Sequence, residues 1–127
     1  MGGRRYYFSN ILVNAAEGLS LCQEINMTLA GFETVQEYIT IINHIENTHG
    51  WGANGFYFTS GVRHTNIWIW SNVGLPMTYF VWNSGPDIEP DFTTDLTTQQ
   101  CLVLSPNGMW DGYCNHVANF VCEQLGV

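Results

Sequence analysis

Two stretches near the start of the chain place apolar residues at helical spacing. Asn14 followed by Glu17 has the form of a capping box, in which each side chain answers the other residue's backbone N–H. Ala15, Leu19, Cys22 and Asn26 follow on one helical face, so a first helix with Cys22 turned inward is predicted. Thr34 with Glu37 repeats the signal, and Val35, Tyr38, Ile39, Ile42 and Ile45 form the apolar face of a second helix. That helix should close near Asn47-Thr48-His49-Gly50. Ahead of both, Tyr6-Tyr7-Phe8 suits a short strand.

After Gly55 the texture changes. Phe56-Tyr57-Phe58-Thr59 and Ile67-Trp68-Ile69-Trp70 are rich in aromatic and branched residues, with a polar turn expected around Arg63-His64-Thr65-Asn66. Cys101-Leu102-Val103-Leu104, Met109-Trp110 and Asn119-Phe120-Val121-Cys122-Glu123 are further strand candidates, the first two joined by a Ser105-Pro106-Asn107-Gly108 turn. Helices first and strands afterwards predict an α+β domain rather than a parallel βαβ sheet. Trp68, Trp70 and Trp110 read as core. Trp51, in a glycine-rich connection, reads as exposed.

Between Ser71 and Gln99 periodicity is lost. Gly74, Pro76, Gly85, Pro86, Pro90 and the tract Thr93-Thr94-Asp95-Leu96-Thr97-Thr98 mark a long loop, which Tyr79, Phe80 and Trp82 should pin to the core. Loops of this length in a compact domain are usually functional or disordered. Within it, residues 82–91 hold three carboxylates (Asp87, Glu89, Asp91) and two prolines. Proline removes a backbone donor and adjacent like charges resist burial, so this is a solvated loop or one that holds a cation.

Composition narrows the class. The 127 residues are one domain, taken as 4–125, with Met1-Gly2-Gly3 as a cloning remnant or trimmed start. The chain has no lysine, three arginines and a formal net charge of -8. Such a surface forgoes the phosphate attraction that dominates nucleic-acid binding and favours cations or basic partners. No apolar run is long enough for membrane insertion. Four cysteines, Cys22, Cys101, Cys114 and Cys122, lack zinc-site spacing; their even number predicts two disulfides, and arithmetic leaves all three pairings open. Disulfides and the sequon Asn26-Met27-Thr28, with Asn26 the glycosylation acceptor, point to a secreted protein. His44, His49, His64 and His116 show no metal-ligand pattern and read as surface or loop residues. Glu89 with Asp87 or Asp91 does not make a glycosidase pair, because those carboxylates must face each other across a cleft. No coiled-coil neck sets an oligomeric state.

In this order the pieces resemble a C-type lectin-like domain of the short, two-disulfide form, over about Tyr6 to Glu123. Asn14-Ala15-Ala16-Glu17 leading to Cys22, with Leu29-Ala30 after it, is similar to the family's first helix and strand entry. Gly55-Phe56-Tyr57-Phe58-Thr59-Ser60-Gly61 stands where the family has its Trp-Ile-Gly-Leu strand. Trp70-Ser71, Gly74, Pro76, Tyr79 and Trp82 follow an arthropod-like spacing, and Gly108-Met109-Trp110, Cys114 and Phe120-Val121-Cys122-Glu123 resemble the closing signature.

The resemblance implies two helices, two small antiparallel sheets and a long loop bearing the ligand site. It also implies the pairs Cys22–Cys122 and Cys101–Cys114. Sugar-binding members hold calcium with a Glu-Pro-Asn or Gln-Pro-Asp motif, a glutamate two residues before the third-strand cysteine and an Asn-Asp pair after the tryptophan. Calcium needs six to eight oxygens, of which a sugar's vicinal hydroxyls can supply two.

Here Gly85-Pro86-Asp87 has nearly the expected position without the first ligand, and Glu89-Pro90-Asp91 has the ligands three residues late. Gln99 replaces the glutamate, and Asp111-Gly112 replaces Asn-Asp. The implied calcium ligands are Glu89, Asp91 and Asp111. Asn83, Asp87 and Gln99 complete the ligand-binding set. The expectation is a secreted, non-enzymatic domain that binds glycans in surface or microbial recognition, with calcium as cofactor. Its rival is a calcium-independent domain that binds a cell-surface or extracellular protein.

Overall fold

The computed structural model describes residues 5–51, 55–64, 67–81, 99–106 and 108–124. Strand β1 (Tyr6–Phe8) leads to helix α1 (Ala15–Glu24), β2 (Met27–Leu29) and helix α2 (Val35–His44), which runs on into a π turn, Ile45–His49. Then come β3 (Tyr57–His64), β4 (Ile67–Trp70), the two-residue β5 (Leu75–Pro76), β6 (Gln99–Ser105), β7 (Gly108–Tyr113) and β8 (Asn119–Gln124).

Both helices begin as their capping signals require. Asn14 Oδ1 accepts the Glu17 N–H at 2.9 Å while Glu17 Oε1 accepts the Asn14 N–H at 3.2 Å, which closes the capping box. Thr34 Oγ1 accepts the Glu37 N–H at 3.1 Å. Each cap satisfies a donor that the first helical turn would otherwise orphan. The helix faces differ in detail from expectation. Helix α1 stops at Glu24, and Asn26 lies beyond it at φ 61°, a left-handed conformation that asparagine tolerates better than most residues. On α2 the buried stripe is Tyr38, Ile41 and, in the turn after it, Ile45; Val35 and Ile39 are exposed. An i, i+3, i+7 stripe beginning at Tyr38 is narrower than the face the sequence suggests.

The strands form two antiparallel groups. Strand β8 takes β1 on one edge (Tyr7↔Cys122) and β2 on the other (Leu29↔Cys122), and β4 and β6 both pair with β3 while β7 pairs with β6. Where separate sheets were expected, a short parallel pairing of β3 with β8, Tyr57↔Asn119 and Phe58↔Phe120, joins the two groups. Arg63 and His64 belong to β3 and pair across to Trp68 and Ile67, so the hairpin is tighter than the polar composition implied. The pairing of β3 with β6 shifts register between Phe58 and Val62. At that bulge Gly61 lies so close to Leu102 that a Cβ would come within 2.7 Å of the leucine Cβ, which is why glycine stands there.

The central strands are covered on both faces, and this divides the interior in two. Tyr57, Leu102, Leu104, Met109 and Val121 join Tyr38 and Ile41 of α2 and Ile45 of the π turn in one cluster, with Trp68 and Trp70. Their sequence neighbours Phe58, Cys101, Val103 and Phe120 face the other way, toward Cys22 of α1, with Trp110 packed alongside. A period of two on a sheet buried on both sides produces the continuous apolar runs seen in the sequence. Trp51 is partly buried against the first cluster, its ring edge-on to Tyr57 at 5.9 Å, and so is not the exposed residue expected. The disulfides are Cys22–Cys122, joining α1 to β8, and Cys101–Cys114, joining β6 to the residue after β7.

Candidate functional site

Strand β7 pairs near its two ends with the residues that flank the long acidic segment, Val81 and Gln99. Before the segment departs, the chain is fastened to α2 and its approach: Tyr79 donates its hydroxyl to the Phe32 carbonyl at 2.7 Å, and its ring lies 6.2 Å from that of Tyr38. Burial, and after it the nearby Glu37 carboxylate, push the Tyr79 phenol far above its ordinary value, as expected for a hydroxyl held neutral in the interior. Phe80, expected to help pin the segment, is largely exposed. Two residues past Tyr79, the Val81 carbonyl accepts the Met109 N–H at 2.7 Å. When the chain is next described, Gln99 lies opposite Tyr113, with a register shift before Cys101↔Gly112.

Asp111 lies midway between these two attachments. It pairs across to Leu102 and is only 3% exposed, on the same face of β7 as Met109. The Cys101–Cys114 bond closes the base immediately beside the return point, and Cys114 also accepts the Ala15 N–H at 3.0 Å, tying this corner to α1.

Of the residues read as ligands from sequence, Asp111 is thus placed in the strand on which the segment starts and ends. Asn83, Asp87, Glu89 and Asp91, together with Trp82, lie outside the described residues. Gln99 contributes its backbone to β6, and its side chain lies outside what is described. Asn26, the sequon residue, is exposed. Among the described residues no three His, Cys, Asp or Glu side chains converge as a metal site. The donor chemistry suits a hard cation: Asp111 on the strand and the three carboxylates of residues 82–91 in the sequence are oxygen ligands.

One pairing was missed from the sequence altogether. His44 and His49 bring their Nε2 atoms to 3.1 Å. Five residues of α-helix would set them about 140° apart around the axis, so only the π turn could have revealed the contact, and no residue pattern announces it.

No protein-family model matches the chain. The CD209 antigen of Macaca mulatta is 25% identical over 126 residues, covering 96% of this chain and 28% of that protein. The chain therefore spans less than a third of the length of the curated relatives it matches. The carbohydrate-recognition domain of the human scavenger receptor C-type lectin superposes with a TM-score of 0.80 at 21% identity, covering 99% of this chain and 94% of that one. A calcium-independent type II antifreeze protein reaches 0.76 at 17% identity over 100% and 90%. A Ca2+-dependent one, in its calcium-free form, reaches 0.74 at 18% over 98% and 94%.

Proposed function

From the C-type lectin-like fold that this chain has, we propose that it is an extracellular recognition domain that binds glycans through the segment 82–98, whose flanking residues are anchored on β7. Domains of this fold are in general recognition modules rather than enzymes. The observation that carries the proposal is the position of Asp111: it lies on β7 between Met109, bonded to Val81 where the segment leaves, and Tyr113, opposite Gln99 where it returns. The carboxylate of Asp111 is thus carried by the same strand that binds the residues on either side of Glu89 and Asp91 in the sequence.

Calcium is the cofactor this donor set suits. Asp111, Glu89 and Asp91 would supply carboxylates, and Asn83, Asp87 and Gln99 further oxygens. When bound, such an ion lends two coordination positions to vicinal hydroxyls of a sugar. The chain's own part is to hold Asp111 rigid through the β6–β7 ladder and to close the segment's base with Cys101–Cys114. The net charge of -8 fits a cation-dependent site and a partner other than nucleic acid. Among the described residues no helix is long and apolar enough to cross a membrane.

A second reading, calcium-independent binding of an extracellular protein, is favoured by Gly112 and Gln99, which stand where the sugar-binding pattern has two carboxylates, and by the occurrence of this fold in a calcium-independent antifreeze protein. A glycan array probed in calcium and again with chelator distinguishes the two. Chelator-sensitive binding to sugars supports the first reading; no sugar binding in either condition contradicts it.

A further inference from the structure

His44 ends α2 and His49 ends the π turn, and the turn brings the second imidazole back over the first. Their Nε2 atoms are 3.1 Å apart and the ring centroids 4.9 Å. Gly50, at φ 73°, closes the turn by donating its N–H to the Ile45 carbonyl at 2.6 Å. π turns of this kind concentrate at functional positions because they displace side chains from the regular helical register.

Phe8 of β1 holds the pair from behind, stacked on His49 at 4.6 Å and tilted against His44 at 5.0 Å. With Nε2 facing Nε2, a neutral pair has one ring donating and the other accepting, so the two share a proton. That arrangement has the dimensions of a chelate. Two nitrogens each about 2.05 Å from one zinc ion stand about 3.1 Å apart at an angle near 98°, between square-planar and tetrahedral values.

His49 is exposed and His44 half-exposed, so an ion there keeps positions for water or for a donor from another molecule. His49 also lines an open cavity of about 370 Å³ with Tyr7, Ser9, Asn10 and Asn119, which gives such a donor room to enter.

We propose that His44 and His49 form a two-imidazole anchor for a divalent transition metal of the zinc or copper type, separate from any calcium held by the acidic segment. Imidazole nitrogen suits zinc, copper and nickel, whereas calcium takes oxygen, so the two sites select different ions. The proposal stands whether or not the chain binds glycans.

The test is calorimetric titration of Zn2+ into the calcium-free full chain, wild type and His44→Gln, His49→Gln and His116→Gln, with Cu2+ electron paramagnetic resonance on the same proteins. Removing even an outer partner of a metal ligand costs about 10–100-fold in affinity, so either site variant should weaken zinc at least tenfold. The copper spectrum should change from two coupled nitrogens to one, and H116Q should match wild type. Melting temperature confirms that each variant is folded. Absence of zinc binding in the wild type, or affinities and copper spectra that are the same in wild type, H44Q and H49Q, would overturn the proposal, since binding would then reside elsewhere, the acidic segment included.

Discussion

Met109 donates its N–H to the carbonyl of Val81 at 2.7 Å, and through this bond the strand carrying Asp111 also holds the point at which the acidic segment begins. Four residues on, Tyr113 lies opposite Gln99, where the segment has ended. Strand β7 therefore fixes both ends of residues 82–98. A ligand site built from that segment inherits its rigidity from the β6–β7 ladder rather than from the loop itself.

The two disulfides should be separable by function. Cys22–Cys122 spans 100 residues and Cys101–Cys114 spans 13. In the chain-entropy model the first contributes about 4–5 kcal/mol and the second about 3 kcal/mol. Paired alanine replacement should therefore lower unfolding free energy more for C22A/C122A, while C101A/C114A should remain folded and lose ligand affinity. Denaturant titration and a binding assay check both halves. Unchanged affinity in C101A/C114A would mean that the bridge does not organise the site.

Glu123 is a buried carboxylate with a structural task. It is 4% exposed and accepts the Gly31 N–H at 2.7 Å and an Asn72 Nδ2–H at 3.1 Å, while the Ser60 hydroxyl donates to Asn72 Oδ1 at 2.7 Å. Removing the acceptor strands one buried donor and one half-buried donor, and Glu123→Ala should cost about 2–3 kcal/mol in thermal or denaturant unfolding. Glu123→Gln keeps an acceptor oxygen for Gly31 and should cost less. A loss below about 0.5 kcal/mol for the alanine variant, the range of ordinary surface substitutions, would contradict this role.

Buried tyrosines set the alkaline limit of stability. Burial raises the phenol of Tyr38, Tyr57 and Tyr79, most strongly Tyr79. A folded-state value above the unfolded one of about 10 means that the unfolded chain gives up its proton first. The stabilisation is thus complete below about pH 10 and drains away as pH rises beyond it. Tyr79→Phe loses the hydroxyl bond to Phe32, about 1 kcal/mol at neutral pH, and should also flatten the fall in melting temperature above about pH 10. A variant as alkali-sensitive as wild type would assign that fall to other groups.

Much of this fold was legible in the sequence because its signals are local. Asn14 with Glu17 and Thr34 with Glu37 announce helix starts that the structure reproduces, the first as a full capping box and the second through the threonine side chain, since a cap is settled within four residues. The cystine pairs followed from resemblance, as spacing alone leaves three choices. Less legible was whatever depends on partners distant in sequence. The exposure of Val35 and Ile39 depends on how α2 is rolled against the sheet, and Arg63 was read as turn because pairing with Trp68 leaves no trace in a polar stretch. Asp111 was picked out as a ligand from the residues after a tryptophan, but its place between the two attachments of the acidic segment is a property of the β6–β7 register. The His44–His49 contact was invisible because helical periodicity argues against it.

The account rests most directly on glycan binding through β7 and the acidic segment. On an array in calcium, wild type should bind a defined set of sugars, and Asp111→Ala, which removes both oxygens of the side chain, should bind the same set at least about tenfold more weakly, because ligand number and charge set calcium affinity. Equal binding by wild type and D111A, with both shown to be folded by thermal unfolding, would contradict it.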